Sequence, residues 1–299
     1  MPCAVITGAS SGIGAEFARQ LARMGVDEFW FVARRKENMV KLGDELSVKY
    51  RVICADLSTD EGIEKYRAEL EAEKPEIDYL LNCAGFGAFG AFDEVDEGVV
   101  SSMIDLNVKA TVLITHMTVP FMRRGGRIVN MGSGSCFTPL PYFNVYSSGK
   151  VFVLHYTKSL NYELKGYGIR ATCFCPGWVG TEFIGKVSSG EDRSVSRPLE
   201  SELRPLLDCE RVVRGCLKAV KKGKTMFVTG KYTKMQHVLF KLVPDFILTR
   251  IWLKKITLSE KRAEKGKKIG AYYGCMLLRP SKTMQMDNPE NPTIIEEFI

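Results

Sequence analysis

Tyr146 and Lys150 stand four residues apart in the segment Tyr146-Ser147-Ser148-Gly149-Lys150, a spacing that puts a phenol and an ammonium on one face of a helix. A free phenol ionises near ~10 and is a poor acid or base at neutral pH, unless a nearby cation favours its anion. Lys150 is placed to be that cation. Ser133, upstream of Tyr146 at the end of an apolar run, can offer its hydroxyl to a substrate oxygen that the phenol protonates. Asn107 falls inside another long helical pattern, where a mid-helix asparagine is unfavourable and invites a functional explanation. Alone, the Tyr-x-x-x-Lys pattern reads as well as a solvated helix face. It gains weight from a glycine turn near the start of the chain.

That turn is Thr7–Gly14, TGASSGIG, set between the apolar run Cys3-Ala4-Val5-Ile6 and a helical pattern from about Ala15. A strand, a glycine turn and a helix start let backbone N–H groups and the positive end of a helix approach a pyrophosphate. Gly8, Gly12 and Gly14 each remove a side chain that would obstruct the approach, with Ser10, Ser11 and Ile13 between them. The alternative is an ordinary βα turn rich in small residues.

The elements that must position these groups alternate along the chain. Apolar runs at 3–6, 29–33, 51–55, 79–83, 127–131, 170–175 and 225–228 predict seven strands. Helical patterns at about 15–24, 38–47, 59–73, 97–122, 145–167 and 210–221 lie between them, with Pro120 bending the end of the fourth. Alternation with short connections predicts an α/β fold: a doubly wound, Rossmann-type parallel sheet of about seven strands with helices on both faces, plus a helical C-terminal extension. The division expected is 1–230 for the dinucleotide-binding and catalytic domain and 231–299 for the extension. A chain of 299 residues can bury such a core. Its nine cysteines include no CxxC pair and no zinc spacing, so reduced core thiols are expected and no metal. Cys173 and Cys175 would point to one face of a strand, a poor metal site without further ligands. With no uncharged apolar run of 18 residues and no leader pattern, the expectation is a soluble, cytoplasmic protein.

Taken together the motifs resemble the short-chain dehydrogenase/reductase family over roughly residues 3 to 230. TGASSGIG looks like that family's cofactor turn, and Asn82-Cys83-Ala84-Gly85 like its NNAG motif with Cys83 in place of one Asn. Asn107, Ser133, Tyr146 and Lys150 match its catalytic tetrad, and Pro176-Gly177 through Val179 and Thr181 match the segment that grips the nicotinamide. The resemblance implies hydride transfer between the nicotinamide and a carbonyl carbon, with Tyr146 transferring the proton and Ser133 bonding the carbonyl oxygen. It further implies that Lys150 lowers the phenol's pKa and holds the ribose, and that Asn107 anchors a water leading to solvent. Gly132 stands where the family often carries a second serine; Ser135 competes with Ser133, but spacing to Tyr146 favours Ser133. The resemblance also implies a homodimer or homotetramer.

The second strand ends Val32-Ala33-Arg34-Arg35-Lys36, with no acid until Glu37. An acid there would bind a free ribose 2′-OH, whereas arginine suits a 2′-phosphate. Arg34 in particular, with Arg35, is therefore expected to select NADP(H), leaving NAD(H) the alternative, while Asp56 and Leu57 resemble the adenine contact. An NAD-dependent alcohol dehydrogenase and a non-catalytic NADP-binding sensor on this fold are the competing readings.

The substrate side is apolar. Phe86, Phe89 and Phe92 follow the NCAG motif; Phe137, Leu140, Tyr142 and Phe143 precede Tyr146; Trp178 and Phe183 follow the Pro-Gly turn. Such a lining predicts a small-molecule partner that is a steroid-like, lipid or aryl carbonyl or alcohol, and no nucleic acid. His116, His155 and His237 fit none of the motifs. From Arg197 to Ile299 there are 21 Lys and Arg against 11 Asp and Glu, interleaved with the apolar positions 238–240, 242–243, 246–248 and 251–253 and split by Pro244 into two short helices. These apolar faces are expected to close the active site or a subunit interface; the alternative is a peripheral anchor on anionic membrane.

Overall fold

The computed structural model describes residues 2–183, 206–239 and 242–257. Phe240 and the basic positions beyond 257 lie outside the described residues, as does Cys275. The described residues through Trp252 pack as one compact unit, and 253–257 belong to a second.

Seven parallel strands form one sheet: β1 (Cys3–Thr7), β2 (Glu28–Ala33), β3 (Lys49–Cys54), β4 (Ile77–Asn82), β5 (Met122–Met131), β6 (Arg170–Cys175) and β7 (Met226–Val228), in the order 3-2-1-4-5-6-7. The chain runs outward from β1 to β3, then returns to place β4 on the other side of β1. The order therefore reverses between β1 and β4, where Thr7 pairs with Asn82 at the strands' carboxyl ends. A crevice opens there because successive connections leave to opposite faces.

The strands read as near-continuous apolar runs because both faces are covered. Alternation within each strand divides the core in two. Ala4, Ile6, Phe29 and Phe31 face helices α1 (Gly12–Arg23), α2 (Lys36–Leu46) and α7 (Cys209–Lys221), meeting Phe17, Leu21, Met39 and Val213. Cys3, Val5, Trp30 and Val32 face the opposite layer with Tyr66 and Leu70 of α3 (Asp60–Glu73) and Ile114.

The expected helix over 97–122 is present but not uniform. Its first part, α4 (Glu97–Ile104), passes into a π-helical turn at Asp105–Ala110, then α5 (Thr111–Thr118), and Pro120 sits in a closing 3-10 turn, Val119–Phe121. The wide turn falls on Asn107, whose amide donates to Phe86 O across 2.8 Å. A side chain drawn out of the helical surface to a neighbouring carbonyl is accommodated by one extra residue in the turn. By length and composition Glu97–Phe121 is apolar enough to cross a membrane, yet α5 packs on β4 and α3. Next come α6 (Asn144–Glu163) and, beyond α7 and β7, α8 (Lys231–Leu239) and helical residues 245–257.

Polar side chains tie the layers beneath the crevice. Asn82 Nδ2 donates to Thr115 Oγ1 (2.9 Å) and Asn130 Oδ1 (2.8 Å), and Asn130 Nδ2 donates to Thr157 Oγ1 (3.0 Å), joining β4, β5, α5 and α6. All four residues are buried, so each bond forgoes water and a missing partner is costly. Asn130→Ala is expected to destabilise the fold by about 2–3 kcal/mol; an unchanged urea midpoint would show that the chain is not held together here.

Candidate active site

At the sheet reversal lies a cleft of about 250 Å³. Gly8 and Gly12 adopt φ of +67° and +56°, which admit glycine, and a Cβ on Gly14 would stand 2.3 Å from Gly8 O. The turn is thus folded tightly on itself and opens directly into α1. Ser11, the residue before α1, makes no side-chain cap, and the first turn carries no acid. Positive helix-end potential therefore faces the cleft uncompensated, which fits a pyrophosphate. The same cleft is walled by Ser10, Ser11, Ile13, Arg34, Arg35, Asp56, Leu57, Ala84, Gly85, Pro176, Gly177, Val179 and Thr181, which with Met131 and Gly132 bring together residues from six strand ends. Asn82 is absent from that wall: it sits behind it, in the polar network under β4.

Tyr146 and Lys150 share the first turns of α6, both buried. Burial pushes the Tyr146 phenol well above its ordinary range, and a hydrogen bond with Ser133 pulls it only partly back. Lys150 is lowered to about 8 by the same desolvation. Its Nζ donates to Met131 O at 2.9 Å and lies 5.4 Å from the centre of the Tyr146 ring. In this arrangement both groups are desolvated, and the ammonium is turned to a carbonyl and the ring face. Asn107 Oδ1 meets no hydrogen-bond partner among the described residues. A Cβ on Gly85 would lie 2.4 Å from that oxygen and 3.5 Å from Lys150 Nζ, so glycine there keeps the two polar groups facing one small space. The Ser135 backbone N–H donates to Ser133 Oγ at 3.1 Å and holds it, while the Ser135 hydroxyl is buried with no hydrogen-bond partner among the described residues.

At the other end of the cleft the two arginines take different partners. Arg34 is largely exposed and pairs with Asp56 at 3.6 Å. Arg35 reaches over the glycine turn, donating to Ser11 Oγ (2.7 Å) and Ser10 Oγ (3.3 Å), and meets Glu182 at 2.9 Å. Arg35 is therefore the guanidinium anchored at the phosphate-binding turn. Neither Glu182 nor its pairing was legible in the sequence, since 147 residues separate the partners.

Beside Tyr146 stands an aromatic wall. Phe143 stacks on the Tyr146 ring at 4.3 Å, Phe183 lies 5.9 Å from it, and Phe89 touches both Phe143 and Tyr142. Gly87 leaves room for this wall, because its Cβ would stand 2.9 Å from the Phe143 ring. Trp252 completes it, edge-on to Phe89 at 6.5 Å and donating its indole N–H to Pro141 O at 2.9 Å. Some expected members lie elsewhere. Phe92 is 90% exposed, and Phe137, the last residue of the short 3-10 turn Gly134–Phe137, packs on His237 of α8 at 4.3 Å. Trp178 lines the cofactor end of the cleft, and Phe86 contributes its carbonyl to Asn107. The spacing GFGAFG hints at Gly87 as the gap between rings; nothing local marks Trp252.

The family model described as short chain dehydrogenase matches residues 2–192. Sulfoacetaldehyde reductase 2 of Chromohalobacter salexigens is 35% identical over 208 residues, 68% of this chain and 82% of that protein. Among solved structures, a short-chain dehydrogenase from Sphingobium yanoikuyae in complex with NADPH is similar at 28% identity, with a TM-score of 0.67 over 76% of this chain and 87% of its own. A bulky-bulky ketone specific alcohol dehydrogenase from Comamonas testosteroni is similar at 27% identity, with a TM-score of 0.64 over 81% and 93% of the two chains.

The buried ammonium has a consequence for stability. Folding lowers the Lys150 pKa from 10.5 to about 8, so between those values the unfolded chain holds a proton that the folded one lacks, and stability rises with pH across that window. Below about 8 the cost of burying the charge is fully present. Lys150→Met is accordingly expected to stabilise the ligand-free protein at pH 7 by ~1–3 kcal/mol, with the advantage shrinking towards pH 10. Denaturant titrations at both pH values check this, and a variant less stable than the parent at pH 7 would mean that the Met131 bond outweighs desolvation.

Proposed function

This chain belongs to the short-chain dehydrogenase family, and from that premise we propose that it is an NADPH-dependent reductase of bulky apolar ketones or aldehydes, running in reverse as an alcohol dehydrogenase. The coarser statement, an oxidoreductase of alcohols and carbonyls built on a nicotinamide-binding sheet, follows from the family. The observation that carries the finer reading is a proton-retaining phenol with a positioned serine and an aromatic wall beside it, next to a cleft lined by Lys150, Phe183 and the two arginines.

The nicotinamide cofactor, when bound, supplies the hydride to the carbonyl carbon. Ser133, held by Ser135 N–H, donates a hydrogen bond to the carbonyl oxygen and steadies the charge that develops there. Tyr146 keeps its proton in the buried site until that oxygen becomes basic enough to take it. Lys150, with a proton affinity near neutrality, is placed by α6 one turn away to move a proton or to hold ribose hydroxyls. Phe143 and Phe183 exclude water from the phenol, and the wall they form with Phe89 and Trp252 fits an apolar substrate better than a sulfonate. The similarity to a ketone-specific enzyme named for bulky substrates supports this choice over the small charged aldehyde in the name of the Chromohalobacter relative.

Support for NADPH comes from Arg35, with Arg34 beside it, at the end of β2 where a 2′-phosphate would approach; the Sphingobium structure holds NADPH. Arg35 is held over the turn by Ser10, Ser11 and Glu182, whereas Arg34 is more solvated and meets Asp56 at longer range.

Loss of absorbance from NADPH and NADH, followed in parallel across apolar ketones and aldehydes, tests the reading. Tyr146→Phe is expected to leave cofactor affinity within a few-fold and to lower kcat by at least ~10³, the scale of a lost general acid. A phenylalanine variant that keeps most of the rate would remove Tyr146 from the mechanism. NADPH is expected to bind more tightly than NADH, and Arg35→Asp to erode that preference by ~10-fold or more, further than Arg34→Asp does. Equal dissociation constants for the two reduced cofactors in the parent protein would overturn the preference.

A further inference from the structure

Three thiols converge behind the cleft. Cys173 and Cys175 project from the same face of β6 with their sulfurs 3.6 Å apart, and Cys136, from the 3-10 turn Gly134–Phe137, places its sulfur 3.9 Å from Cys175 Sγ. All three are buried and pack with Val153, Leu154 and Val228. Buried thiols in an apolar cluster are ordinarily inert core. Two features set these apart. A Cβ on Gly132 would lie 2.7 Å from Cys173 Sγ and 2.9 Å from Cys175 Sγ, and Gly132 itself lines the cofactor cleft, so one glycine backbone separates the sulfurs from that cleft. The segments that carry Cys136 and Cys175 also bear on the chemistry: Gly134 N donates to Pro176 O at 2.7 Å, and Cys136 N donates to Ser133 O at 3.2 Å.

We propose that Cys136 and Cys175 are a covalent modification site, a dithiol that a two-electron oxidant of the peroxide class closes into a disulfide, tying the turn that presents Ser133 to the carboxyl end of β6. One thiol, as thiolate, attacks the peroxide O–O bond and becomes a sulfenic acid, releasing hydroxide that is protonated to water, or an alkoxide that is protonated to an alcohol. The second thiol then displaces the sulfenic oxygen as a further water. For hydrogen peroxide the balance is two thiols plus one peroxide to one disulfide and two waters. Cys136 is the first nucleophile: it is the less enclosed of the two, 6% exposed against 0% for Cys175, and its contact with Cys175 holds it below the ordinary thiol value while that contact and burial raise Cys175. Cys173 is not the partner. Residues i and i+2 of an extended strand are about 6.6 Å apart at Cα with parallel side chains, and a disulfide needs Cβ atoms within about 4.5 Å. Nor do the three thiols make a metal site, since no group of three His, Cys, Asp or Glu among the described residues is arranged to hold an ion.

Closing the bond draws two sulfurs now 3.9 Å apart to about 2.05 Å. That displacement passes into Gly134–Phe137, whose N–H groups at Ser135 and Cys136 hold Ser133. Oxidation is therefore expected to misplace Ser133 and lower activity. Shielding by cofactor rests on the function proposed above; the bond itself does not.

The test treats the reduced, full-length protein with hydrogen peroxide, with and without saturating NADP+, and reads two signals: the linked Cys136–Cys175 peptide, lighter by two hydrogens, and the rate of ketone reduction after the peroxide is removed. The linked peptide is expected to appear with a loss of rate of at least ~5-fold, both reversed by dithiothreitol. NADP+ should slow linkage several-fold. C136S and C175S, with C136A and C175A as second variants should a serine impair folding, are expected to resist inactivation, whereas C173S should still form the link. Three thiols that stay alkylatable after peroxide, a link between Cys173 and Cys175, or inactivation that persists in C136S and C136A would overturn the proposal. A link that forms without loss of rate would overturn the coupling to Ser133. Linkage unaffected by NADP+ would count against cofactor occupying the cleft beside Gly132, and leaves the dithiol itself established.

Discussion

The close approach of two backbones at the reversal of the sheet is the constraint from which the rest of this site follows. At the end of β1, a Cβ on Gly8 would stand 2.7 Å from Ala84 N, while Thr7 Oγ1 accepts a hydrogen bond from that same N–H at 3.1 Å. The glycine lets the turn after β1 rest on the loop after β4, and the threonine fastens the two. Were the turn held farther off, the start of α1 would aim elsewhere, and the helix-end potential would not meet the floor formed by Cys83, Ala84 and Gly85. Gly14 repeats the device one turn later by letting α1 close down on Gly8 O. Glycine has a conformational cost in each place, which is offset here because no other residue fits.

Electrostatics then decide which groups at the strand ends can work. Burial acts on Tyr146 and Lys150 with opposite sign, raising the phenol and lowering the ammonium. The effect is to favour a protonated Tyr146 and to ease loss of the proton from Lys150, which a lysine of ordinary pKa would hold more firmly. The anchoring bond to Met131 O keeps Lys150 beneath the cleft instead of letting it escape to solvent, and the polar network from Asn82 to Thr157 holds α5 and α6 at the spacing this requires.

Local rules carried much of this into the sequence. Strand and helix boundaries fell within a few residues because alternation and glycine punctuation are short-range signals, and the Tyr146–Lys150 pairing needs only helical geometry. What escaped depends on distant partners. The choice between Arg34 and Arg35 turns on which side chain meets Ser10 and Ser11 and which meets Asp56, and adjacent residues of like charge give no hint of that. The π-helical turn at Asn107 arises from a carbonyl 21 residues upstream. Phe92 and Phe137 shared the composition of the aromatic wall but not its direction, since a ring's place is set by the turn that carries it.

The wall itself shows how an irregular loop becomes a rigid surface. Tyr142 adopts a φ of +65°, unusual for a residue with a Cβ, at the bend that leads from Pro141 into α6. Its strain, of order 1–3 kcal/mol, persists only if the surroundings determine the loop. They do so from both sides: Gly90 N donates to Tyr142 O at 2.9 Å, and Trp252 binds Pro141 O from the helical residues that follow Pro244. Phe143 is thereby fixed against the ring of Tyr146. A surface built from the loop after β4, the loop before α6 and a helix more than a hundred residues later can vary its outer members without disturbing the phenol. On the function proposed above, substrate range follows the wall and reaction type follows α6, so a change to the outer members of the wall would alter the first and leave the second.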